Sequence, residues 1–134
     1  MKLKKWERLL EMWCGDSRVA LYLAEQNPQA HIVGIELSPV LYVISKIRVW
    51  LSGLDNIEII YGNALNLNLE SYDVIYIFWL PETVSEKVAP KLKKKVKENM
   101  RFISYSFRMT DDFFEEKKYM HENQSNIYEY KIKK

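Results

Sequence analysis

The chain has 134 residues, which suits one α/β domain over residues 1–134, and its 48% hydrophobic content is enough for a packed core and excludes a disordered chain. Twenty Lys+Arg against 18 Asp+Glu leave a formal net charge of +2, which argues against a nucleic-acid partner. The single cysteine, Cys14, excludes an internal disulfide and a multi-cysteine metal site, so no metal is expected and the expected compartment is reducing and cytoplasmic.

The basic start, Met1 to Trp6, leads into an apolar stretch too short for a signal peptide. No apolar run approaches the roughly 20 residues that span a bilayer, and no membrane partner is expected. A strand pattern over residues 8–13 then enters a tight turn at Gly15. A helical pattern follows from Asp16 to Gln26, with Val19, Ala20 and Leu23 on one face, and Asn27-Pro28 stops it. A second strand, residues 31–36, ends on Glu36. Ser38 caps the next helix, Pro39 takes its first position, Leu41, Ile44, Ile47, Val49 and Leu51 are its apolar positions, and Gly53 ends it.

Further strands are expected at 57–61, 72–78, 100–107, 117–122 and 126–132, with a third helix over 83–97. Alternating strands and helices predict a mostly parallel sheet with helices on both faces. The last two strands flank Asn123-Gln124-Ser125, a hairpin turn that makes the end of the sheet antiparallel.

In such sheets ligands bind at the carboxyl ends of the strands. Four strand ends here carry glycines, acids, amides or aromatics. The first runs Glu11 to Ser17; it keeps Gly15 but has Trp13 and Ser17 where a nucleotide loop usually has more glycines. The second is Glu36-Leu37, whose carboxyl suits a ribose diol, although an acid before a helix is also favoured by the dipole. The third is Tyr61-Gly62-Asn63-Ala64, where Asn63 is either a donor to an adenine edge or an ordinary turn residue. The fourth is Phe78-Trp79-Leu80-Pro81-Glu82, whose ring faces suit a sulfonium or an incoming ammonium. The degenerate loop favours a cofactor without phosphates, S-adenosylmethionine (SAM), over a dinucleotide.

The lysine run 91–97 reads as the wet face of a helix. His31, His121 and Cys14 read as structural.

These residues resemble the class I SAM-dependent methyltransferases with their Rossmann-like fold. Phe78-Trp79-Leu80-Pro81-Glu82, Val88-Ala89-Pro90-Lys91-Leu92 and Arg101 to Met109 are similar to a small group of archaeal and mitochondrial-type protein lysine methyltransferases. Glu36-Leu37-Ser38-Pro39 and Ser45-Lys46-Ile47-Arg48 are similar to their second-helix region, and the resemblance runs from Leu9 to Met109.

The resemblance implies a seven-strand sheet. It implies a cofactor site of Glu11, Trp13, Gly15, Asp16, Glu36, Leu37, Asn63, Ala64 and Phe78. In it Glu11, Gly15 and Asp16 surround the methionine part of SAM, Glu36 binds the ribose, and Asn63 lies by the adenine. Phe78, Trp79, Leu80 and Pro81 would line the methyl-transfer site and Glu82 would draw the substrate in. The implied activity is methyl transfer from SAM, leaving S-adenosylhomocysteine, to a nitrogen nucleophile, foremost an accessible lysine of a protein. Two alternatives stand beside it: a SAM-fold interaction module without catalysis, motivated by Trp13 and Ser17, and an RNA or DNA methyltransferase.

Overall fold

The computed structural model describes residues 2–78, 90, 100–105, 114–119 and 127–132. It divides into two compact units, Met1–Leu67 and Asn68–Lys134.

The first unit is built from β1 (Arg8–Met12), α1 (Arg18–Gln26), β2 (His31–Glu36), α2 (Pro39–Ser52) and β3 (Ile57–Tyr61). β1 and β2 run parallel in a register that pairs Glu11 with Gly34, and β2 and β3 run parallel with Glu36 opposite Tyr61. Two right-handed crossovers in one direction put α1 and α2 on the same side of these strands. The helix expected over 83–97 lies outside the described residues.

Leu9, Leu10, Met12, Ile32, Val33 and Ile35 are buried, each contributing about 2 kcal/mol of transfer free energy. Their continuous apolar runs suit strands covered on both faces.

Local chemistry explains the element ends. α1 starts at Arg18 rather than Asp16, because Ser17 sits at φ 66°, outside helical geometry. Asn27 closes it: its N–H donates to the Leu23 carbonyl, its side-chain amide donates to the same carbonyl, and its Oδ1 accepts the Leu3 N–H at 2.8 Å. α2 has the expected cap: Ser38 Oγ accepts the Leu41 N–H, Pro39 follows, and Gly53 ends the helix at φ 70°.

The packing of α2 departs from what periodicity suggests. Its one fully buried residue is Ser45, while Leu41, Ile44, Ile47 and Leu51 are exposed and Val49 is half-buried.

In the second unit β4 (Val74–Ile77) and β5 (Arg101–Tyr105) are parallel. β7 (Ile127–Ile132) pairs antiparallel with β5 and with β6 (Phe114–Tyr119). β6 lies three residues earlier than the 117–122 expected, because its register runs Phe114 to Ile132 through Tyr119 to Ile127. The turn expected at Asn123-Gln124-Ser125 lies outside the described residues. Two short 3₁₀ turns, Ala64–Asn66 and Leu69–Ser71, were not expected; Asn63 and Asn68 cap them with their side-chain oxygens. Among the described residues no helix is long and apolar enough to cross a membrane.

Candidate cofactor site

The site is the end of the first unit at which β1, β2 and β3 finish. Between β1 and α1 the chain turns through three left-handed residues at alternate positions, Trp13 (φ 53°), Gly15 (φ 60°) and Ser17 (φ 66°). Only glycine takes this conformation without cost, and each non-glycine residue stores about 1 kcal/mol or more. The surrounding bonds hold it. Cys14 N–H donates to the Ile35 carbonyl at 3.0 Å, and Ser17 N–H donates to the Cys14 carbonyl at 2.9 Å. The loop thus keeps a glycine-type backbone path although two of its residues carry side chains. Ser17 turns its side chain into the protein, fully buried, with Oγ 3.5 Å from Cys14 Sγ.

Glu36 joins this loop to the tip of β2. One of its carboxyl oxygens accepts the Gly15 N–H at 2.7 Å, and the other accepts the N–H groups of Leu37 and Ser38 at 3.0 Å. A carboxyl group offers about four acceptor sites, so one remains beside Gly15. Ser45 completes the frame from α2: its Oγ donates to the Gly15 carbonyl at 2.7 Å. Gly15 is therefore held through both its N–H and its carbonyl. A Cβ built on it meets nothing within 4 Å, so the space in front of the turn is open.

Glu11, on β1 just before the loop, is 5% exposed. Burial pushes its carboxyl pKa up to about 8; the Ala20 N–H opposes the rise, and the nearby Asp16 and Glu36 add to it. Its Oε2 has no hydrogen-bond partner, and it alone among the described buried side-chain atoms is in that condition. An orphaned buried carboxyl oxygen calls for a donor.

The other expected residues take varied positions. Asp16 pairs with Arg18 at 2.7 Å and lies 3.7 Å from Arg48. Leu37 is exposed and Ala64 is buried. Asn63 Oδ1 is committed to the Leu65 N–H at 3.0 Å, which leaves its amide N–H groups as the donors it can offer. Phe78, in the second unit, is 53% exposed. Trp79, Leu80, Pro81 and Glu82 lie outside the described residues, as does His121. Burial drives the Cys14 thiol up to about 11, the setting of an inert core cysteine. His31 lies 3.6 Å from Glu58 on the neighbouring strand. No cluster of three or more metal-ligating side chains occurs among the described residues.

Two contributors escaped the sequence reading as site residues. Ser45 belongs to the second helix pattern, and the signal it carries is a small hydroxyl on a helix otherwise rich in large apolar residues. Gly34 is the other. A Cβ there would stand 2.9 Å from Cys14 Sγ and 3.0 Å from Ile59 Cδ1, so a side chain at this position would force both neighbours to shift.

Comparisons with known proteins bear on the family and the fold. Residues 11–113 match the family model described as the ANTKMT methyltransferase domain. A protein-lysine N-methyltransferase of Saccharolobus islandicus is 25% identical over 114 residues, covering 81% of this chain and 67% of the relative. A demethylmenaquinone methyltransferase of Listeria monocytogenes is 29% identical over 80 residues, covering 58% of this chain; the match spans only 34% of that relative's length. Among solved structures, the RNA methyltransferase from Salinibacter ruber in complex with S-adenosyl-L-homocysteine superposes with a TM-score of 0.83 at 23% identity, covering 94% of this chain and 80% of that one. PKMT2 from Rickettsia typhi, also in complex with that product, gives 0.62 at 23% identity, covering 75% and 21%. These likenesses support the Rossmann-like methyltransferase fold.

Proposed function

We propose that this chain, which belongs to the ANTKMT methyltransferase domain family, transfers the methyl group of SAM to a nitrogen nucleophile, and that the nucleophile is the side-chain amine of a protein lysine. One observation carries the cofactor half of this reading. A buried glutamate with an orphaned oxygen, an open left-handed glycine and a strand-tip carboxyl with one spare acceptor site stand around a single turn. These acceptors fit SAM, whose methionine part brings an ammonium and whose ribose brings hydroxyl donors.

Glu11 would take the ammonium on Oε2, giving up the proton that burial now keeps on it. Glu36 would accept a ribose hydroxyl on its remaining site beside the Gly15 N–H. Asn63 would donate its amide N–H to an acceptor edge of the adenine. Gly15, Ser45 and Glu36 hold the turn in one shape, so little ordering is left for the moment of binding.

SAM supplies a methyl already activated by its sulfonium, so the protein's work is alignment and exclusion of water. Phe78, Trp79, Leu80 and Pro81 are proposed to line the transfer site. An apolar lining lowers the pKa of an entering lysine and so favours the free amine, whose lone pair forms the new N–C bond as the C–S bond breaks. Its surplus proton passes to solvent. Glu82 is proposed to draw the ammonium in. The 25% identical protein-lysine N-methyltransferase supports the substrate class.

The test has two steps. Calorimetric titration with SAM measures binding; incubation with isotope-labelled SAM and a protein extract, followed by peptide mass spectrometry, locates the methyl group. Label on lysine is expected. Binding without label on lysine rejects the substrate class, and absence of binding by a folded sample leaves the interaction-module alternative in its place.

A further inference from the structure

Helix α2 turns an apolar stripe outward. Val40, Val43, Ile44, Ile47, Trp50 and Leu51 are all exposed. They recur at the i, i+3, i+4, i+7 spacing of one helix face, so they form a single band from Val40 to Leu51 of the 14-residue helix, about 18 Å long. Trp50 is 80% exposed. Single exposed apolar residues are ordinary; a continuous band of this length marks a contact surface.

The charges bordering the band identify what covers it. α2 contains no acidic residue, while Lys46 and Arg48 are exposed and, by helical spacing, flank the band on opposite sides. Arg48 also lines, with Arg18 and Tyr22, a cleft of about 450 Å³ beside α1. Asp16 and Glu25 are the acids there, Asp16 3.7 Å from Arg48 and Glu25 in the cleft wall. α2 runs back antiparallel to the strands, so Trp50 and Leu51 come down at the end where β1 begins. Lys2, Lys4 and Lys5 are exposed at that end, and Trp6 is 79% exposed; Asp55 and Glu58 are the exposed acids between α2 and the end of β3.

A second copy of the chain is a poor match for this surface. A two-fold pairing centred on Ile47 would set Lys46 and Arg48 of both copies side by side, like charge against like. An anionic bilayer is complementary in both respects, taking the apolar band at the acyl boundary and the cations at the headgroups. We propose that α2 docks the protein on an anionic phospholipid membrane, lying in the plane of the interface. This departs from the sequence expectation of no membrane partner, which considered spanning segments only.

Flotation of the full chain with vesicles tests it. The wild type is expected to float with vesicles of phosphatidylcholine and phosphatidylglycerol in equal parts, and not with phosphatidylcholine alone. Ile47→Asp with Trp50→Asp should lower binding roughly tenfold or more, and Lys46→Glu should lower it several-fold, each with an unchanged circular dichroism spectrum. The docking proposal is overturned if the wild type floats with neither preparation or equally with both. It is also overturned if the double variant binds as the wild type does, or if the wild type sediments as a dimer that the double variant abolishes.

Discussion

The Glu36 carboxyl accepts the Gly15 N–H at 2.7 Å across 21 residues of sequence. This bond ties the tip of β2 to the turn after β1, and the hydroxyl of Ser45 fixes the same glycine from the other side. A strand tip, a turn and a helix thus meet on one residue. The open space in front of that residue is the cofactor site proposed above.

Gly15→Ala separates folding from binding. The added Cβ meets no atom within 4 Å, but φ 60° strains any L side chain, so stability should fall by only about 1 kcal/mol. If SAM approaches the turn closely, affinity should fall by roughly tenfold or more, beyond the folding effect. Urea denaturation and calorimetry with SAM measure the two losses.

Ser45→Ala leaves the Gly15 carbonyl without its donor in a partly buried place. A loss of about 1 kcal/mol in urea denaturation is expected. SAM affinity should weaken as well, because Gly15 itself is then held by the Glu36 bond alone. Ser52→Ala is the control: its hydroxyl donates to the Val49 carbonyl and accepts the Leu54 N–H on the exposed end of α2, and cofactor affinity should not change.

Glu11 makes stability depend on pH. Its pKa is 4.5 ordinarily and about 8 in the fold. Between these values the folded state keeps a proton that the unfolded state has lost, so stability falls as pH rises, by at most about 1.4 kcal/mol per pH unit. Below pH 4.5 and above pH 8 both states agree and this slope vanishes. Glu11→Gln should abolish the slope and raise stability at neutral pH. Pairing with the SAM ammonium requires the ionised form, so binding should release a proton below pH 8. Calorimetry in buffers of different ionisation enthalpy detects that proton, and the variant should show none.

Gly34→Ala should be destabilising by about 1–3 kcal/mol through overpacking against Cys14 and Ile59. Cys14→Ala removes the 2.9 Å contact with Sγ, though the 3.1 Å contact with Cys14 Cβ remains. The double variant should therefore be more stable than the sum of the single losses, by about 1 kcal/mol. Thermal denaturation of the four proteins of the cycle reads the coupling.

The sequence by itself determined the order of elements in the first unit, the ends of α2 and the identity of Gly15 and Glu36 as turn and strand tip. These depend on local rules: alternation in strands, a serine cap with proline after it, a glycine at a helix end. Trp13 and Ser17 read as departures from a glycine loop, yet both adopt the left-handed backbone such a loop needs. Only the folded chain shows this, because the bonds from Cys14 and Ser17 that enforce it belong to the packed turn.

Tertiary structure alone decided the rest. Ser45 reaches Gly15 across 30 residues, Gly34 lies under Cys14, and Glu11 keeps its proton because the surrounding protein excludes water. The outward turn of the α2 stripe is of the same kind. Periodicity shows that a helix has an apolar face; whether that face meets the sheet or solvent is set by the crossover that places the helix, and here Ser45 faces in and Ile47 faces out.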